Sequence, residues 1–65
     1  MEFTKLLPKE QNIILEQYNN IREEGTVNMM DFLSVQRIAF DKDFYEFVNF
    51  TQNDTKKYMQ ILKAI

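Results

Sequence analysis

Asn28-Met29-Met30-Asp31-Phe32-Leu33-Ser34-Val35-Gln36-Arg37-Ile38-Ala39-Phe40 is the stretch that decides the fold class. Asn28 is a natural helix N-cap, because its side-chain oxygen accepts a backbone N–H that has no partner within the helix. Asp31 then falls in the first turn, where the helix dipole favours negative charge. A helix is expected from about Met29 to about Phe40. Placed at about 100° per residue, Met29, Met30, Phe32, Leu33, Val35, Ile38 and Ala39 cover most of its circumference. Only Asp31, Ser34, Gln36 and Arg37 interrupt them. A helix that is apolar nearly all round is buried on several sides. In a chain of 65 residues it is therefore either the central helix or one that also meets a second chain. The second alternative is the reason to expect a homodimer.

Working outward, Pro8 opens an earlier helix, since the N–H it lacks has no helical partner in the first turn. Lys9 to Glu24 follow as helix, and Gly25 ends it as a left-handed C-cap. Ile14, Tyr18 and Ile21 share one face with Leu15 alongside, and Asn12, Glu16, Asn19 and Glu23 cover the opposite arc, an amphipathic pattern. Downstream, Asp41-Lys42-Asp43 is a polar break, with Asp43 placed to cap a short third helix through Phe50. Phe44, Phe47 and Val48 make its inner face, while Tyr45 and Asn49 point elsewhere. Thr51-Gln52-Asn53 is the next break. A last helix runs from about Asp54, with Tyr58, Ile61, Leu62 and Ile65 as its apolar stripe and Lys56, Lys57, Gln60 and Lys63 outside. No strand alternation or internal repeat occurs. The expected fold is all-α, a single domain over residues 1–65 built as a compact bundle of about four short helices.

Composition narrows the function classes. A 65-residue domain buries only about 60% of its unfolded surface and is marginally stable. The chain has no cysteine and no histidine. That removes disulfides, thiolate zinc sites, the commonest metal ligand and the common acyl-transfer triads. Ser34 has no base beside it, and one glycine cannot build a phosphate-cradling loop. A carboxylate pair can in principle hydrolyse glycosides, but a chain this short, mostly spent on its core, leaves little wall for a pocket. Catalysis, a cofactor and a metal are not expected. Asp41, Asp43 and Glu46 fall short of a calcium loop, which needs more oxygen ligands and a glycine at its turn. They read as capping residues and a solvated helix start.

The net charge of -2 argues against nonspecific nucleic-acid binding, which needs clustered cations. The second and third helices have the outline of a helix-turn-helix. The helix that would read bases, Phe44-Tyr45-Glu46-Phe47-Val48-Asn49-Phe50, has no Lys or Arg. A DNA-binding regulator is the alternative on that outline, and a nucleotide-signal sponge using Tyr45 with Arg37 is another. No run is apolar for long enough to span a membrane. Met1-Glu2-Phe3-Thr4-Lys5 lacks the apolar run of a signal peptide, so a cytoplasmic protein is expected.

Binding remains. Phe40, Phe44, Tyr45, Phe47 and Phe50 are dense, and their ordinary role is core packing. Five rings from so short a segment cannot all turn inward, because Phe44 and Tyr45 project about 100° apart. At least one is expected at a pocket rim or a protein interface, where aromatics concentrate binding energy. Met29 and Met30 suit an irregular contact surface, or else fill gaps in the core.

Val27-Asn28-Met29-Met30-Asp31, Val35-Gln36-Arg37-Ile38-Ala39 and Phe44-Tyr45-Glu46-Phe47-Val48, followed by a helix carrying Tyr58, resemble a family of small phage and prophage proteins of Gram-positive bacteria that carry a domain of unknown function. The resemblance covers roughly residues 10 to 62. Val27 and Phe47 depart from the Thr and Leu common there. It implies a phage-encoded accessory protein in the host cytoplasm, acting on a host or antiviral-defence protein. Combined with the residues above, it makes Met29, Met30, Gln36, Arg37, Phe44, Tyr45 and Glu46 the candidate partner-binding set. Asn28 and Asp31 read as caps. Arg37 and Glu46 are either exposed contacts or an ion pair between neighbouring helices.

Overall fold

The computed structural model describes residues 2–64. Its elements are a single 3-10 turn at Phe3–Lys5 and four α-helices: α1 (Pro8–Glu24), α2 (Phe32–Asp41), α3 (Tyr45–Thr51) and α4 (Thr55–Ala64). The described residues form an all-helical fold without strands. None of their helices is long and apolar enough to cross a membrane.

α1 follows its sequence signals. Pro8 occupies the first turn and Gly25 the left-handed cap, with φ +67° and its N–H on the Arg22 carbonyl at 3.2 Å. Ile14, Tyr18 and Ile21 are buried. α2 begins later than Asn28 suggested. Asn28 Oδ1 accepts the Met30 N–H at 2.9 Å, two residues on, and the Asn28 carbonyl accepts the Asp31 N–H at 2.9 Å. Asn28 therefore closes a turn of its own, a competing local bond typical of Asn. Asp31 is the true cap: it accepts the Ser34 N–H at 3.4 Å and the Ser34 hydroxyl at 2.8 Å. Met29 and Met30 lie outside the helix. Asp31→Ala is expected to cost about 1 kcal/mol in urea unfolding, and Asn28→Ala no more than about 0.5 kcal/mol.

Asp43 likewise does not cap α3. It sits at φ +61°, and its N–H reaches the Phe40 carbonyl at 3.1 Å while the Phe44 N–H reaches that of Ala39 at 2.9 Å. This paired closure ends α2, with Asp43 in the left-handed place usually held by Gly. Phe44 is the N-cap position of α3. Gln52 and Asn53, at φ +46° and +62°, reverse the chain again. Asp54 then starts α4, accepting the Lys56 N–H on Oδ1 at 2.9 Å.

The core centres on Tyr58. Its ring stacks on Phe32 at 4.7 Å and meets Phe47 at 6.0 Å and Tyr18 at 6.3 Å between centroids, joining all four helices. Its hydroxyl donates to the Met29 carbonyl. Ile61 is buried and Leu62 half-buried as the stripe required, whereas Ile65 lies outside the described residues. Two placements were not foreseen. Phe3 is buried, edge-on to Phe50 at 5.5 Å, and its N–H donates to Gln60 Oε1 at 2.7 Å. Gln60 thus faces the N-terminal turn rather than solvent. Secondly, α2 is not the central helix. It buries Phe32, Val35 and Ala39 but leaves Leu33 73% and Phe40 61% exposed.

A candidate partner-binding surface on the second helix

Leu33, Arg37 and Phe40 are spaced four and three residues apart, so α2 stacks them along one face. Met30, three residues before Leu33 and just ahead of the helix, is 69% exposed. With Gln36, Val48 and Asn53, the α2 residues line an open groove of about 440 Å³. Beyond its end, Tyr45 lies edge-on to Phe40 at 6.4 Å and is itself half-exposed. Four large apolar or aromatic side chains therefore stand in water around one helix face. A monomer ordinarily exposes such residues singly.

Gln36 is half-buried, and its Oε1 is buried without a hydrogen-bond partner among the described residues. Arg37 is exposed and does not pair with Glu46. Glu46 instead accepts from Gln17 Nε2 at 2.7 Å, while Gln17 Oε1 accepts the Phe47 N–H at 2.9 Å. Gln17 thereby ties α1 to the first turn of α3. That hydrogen bond holds the Glu46 carboxyl below its ordinary range. Among the described residues, the ion pair formed is Lys42 with Glu24, and the Lys42 ammonium lies 5.9 Å from the Phe44 ring centre.

The seven candidate residues therefore divide. Gln36 and Arg37 share the groove, and Phe40 joins Tyr45 to it. Met30 extends the exposed line. Met29 is half-buried, its carbonyl engaged by Tyr58. Phe44 is half-buried under Lys42. Glu46 borders a different groove of about 340 Å³ with Leu6, Glu10 and Ile14. The Tyr45 hydroxyl donates to Asp43 Oδ1 at 2.9 Å, and that carboxylate raises the hydroxyl's pKa. Leu33 and Phe40, absent from the candidate set, are the large hydrophobic side chains that α2 leaves exposed. Their heptad-like spacing around Arg37 was the available signal.

Residues 10–62, which hold all seven candidates, match the family model described as a domain of unknown function (DUF5049). No curated protein and no solved structure matches.

Proposed function

The chain belongs to the DUF5049 family, and on that premise we propose that it is a small phage-encoded accessory protein that binds and inhibits or modulates a host or antiviral-defence protein. It acts in the cytoplasm of the infected bacterium and catalyses no reaction. The observation that carries this reading is the exposed line Met30, Leu33 and Phe40 with Tyr45 beside it. Leaving such side chains in water forgoes roughly 25 cal/mol per Å² of apolar area, and docking a partner there recovers it. The absence of His and Cys from the sequence supports a binding role over a catalytic one. The expected homodimer belongs to the same reading, because α2 has more apolar surface than its own chain covers.

The DNA-binding alternative has less support. The exposed residues of α3 are Tyr45, Glu46 and Asn49, which bring no cation to a phosphate. The nucleotide-sponge alternative fares no better, since Asp43 holds the Tyr45 hydroxyl and sets a negative charge where a phosphate would approach. The test is affinity capture from infected cells with tagged wild type and Leu33→Glu in parallel. A protein held by wild type, lost by the variant and rebound in purified form is the expected result. Equal recovery by both chains, or none across several hosts, overturns the reading.

A further inference from the structure

We propose that a second copy of this chain packs antiparallel along α2 about a two-fold axis level with Ala39, setting Phe40 against Phe40 and Arg37 of each copy across from Asp41 of the other. The proposal rests on the reading of this face as an interaction surface: the second copy takes its centre at Phe40, and the ends of the seam stay open to the target. Charge sets the direction. Arg37 and Asp41 are both exposed and neither is ion-paired among the described residues. They sit four apart with the cation N-terminal, the weaker order for pairing within one helix. An in-register parallel neighbour would bring Arg37 to Arg37 and Asp41 to Asp41. An antiparallel one makes two reciprocal ion pairs, as a self-complementary two-fold interface requires.

The apolar groups fit the same register. One residue past the axis, the two Phe40 rings are displaced by about 3 Å along the helices, the offset that stacked rings prefer. Leu33, six residues before the axis, reaches the joint where Phe44 and Tyr45 of the second copy follow its α2. Met30 continues that contact outward. Met30, Leu33, Phe40 and Tyr45 offer on the order of 400–500 Å² of the roughly 800 Å² per partner that a stable interface buries, and Gln36, Arg37 and Asp41 extend it. The pairing also completes the candidate surface. At each end of the seam, Met30 of one copy lies beside Phe44 and Tyr45 of the other, residues that a single chain keeps apart.

Sedimentation velocity from about 1 to 300 µM, with circular dichroism on each variant, decides it. Wild type is expected at twice the 7.9 kDa chain mass at the upper concentrations. Arg37→Asp and Asp41→Arg each weaken the dimer about tenfold, and the double variant restores it to within about threefold. Phe40→Glu is monomeric with unchanged helicity. One-chain mass at every concentration overturns the proposal, as does a dimer indifferent to both single swaps or one that the double swap fails to restore. If the chain is monomeric but Leu33→Glu still abolishes capture of the target, only the dimer falls. If the dimer behaves as stated but capture ignores Leu33, only the functional reading falls.

Discussion

Tyr58→Ala is expected to unfold the domain at room temperature. Tyr58 is 1% exposed and touches the rings of Tyr18, Phe32 and Phe47. Removing a buried aromatic costs about 3–5 kcal/mol. At roughly 0.05–0.15 kcal/mol per residue, 65 residues hold about 3–10 kcal/mol in all, and a domain this small sits at the low end of that range. The helices are too short to persist alone, so circular dichroism registers the loss as a fall in helicity. A variant melting within a few degrees of wild type would show that the core is not centred on this ring. Tyr58→Phe keeps the ring and strands the Met29 carbonyl, costing about 1–3 kcal/mol. The hydroxyl also sets an alkaline limit. Burial, with a smaller contribution from Tyr18, raises its folded pKa well above the unfolded value of about 10. The folded state therefore holds this proton more tightly. Its stabilisation is fully present below about pH 10 and is lost as pH rises toward the folded pKa. The urea midpoint is expected to be level to about pH 9 and to fall above about pH 10, with a shallower fall in Tyr58→Phe.

Phe40→Glu and Leu33→Glu are expected to do the opposite: leave the fold intact and remove binding. Both side chains are largely in water, and surface substitutions usually change stability by no more than about 0.5 kcal/mol. At the centre of an interface the same residues cost about 2 kcal/mol or more, a loss of roughly thirtyfold in affinity. Titration calorimetry against the captured target, paired with urea unfolding of each variant, separates the two quantities. Lost stability with unchanged affinity would assign these side chains to the core.

The contrast between these residues also marks what could be read from the sequence. α1 was legible because Pro8, Gly25 and the Ile14–Tyr18–Ile21 stripe are local signals that agree. The start of α2 was not, because Asn28 and Asp31 are both good caps and only the chain path shows that Asn28 spends its oxygen on Met30. Asp43 misled similarly: an Asp before a helix suggests an N-cap, yet here it ends the preceding helix in a left-handed conformation. Phe3 was missed because one 3-10 turn has no periodicity and its hydrogen-bond partner, Gln60, is 57 residues away. Around α2 the pattern showed how much apolar surface exists but not how much of it the chain itself covers. The rest of the core covers Phe32, Val35 and Ala39, while Leu33 and Phe40 face outward. Glu46 stands apart from the α2 groove because its carboxylate accepts from Gln17 on α1, and nothing near Glu46 in sequence announces that bond.

Site-specific photocrosslinking in infected cells tests most directly whether the surface formed by α2 and Tyr45 binds a partner. A photoreactive phenylalanine analogue replaces Tyr45, half-exposed beside Phe40, in one chain and Glu16, on the exposed arc of α1, in another. A discrete adduct with a bacterial protein is predicted from position 45 and not from position 16. Adducts of equal strength from both positions, or none with any other protein from position 45, would contradict it.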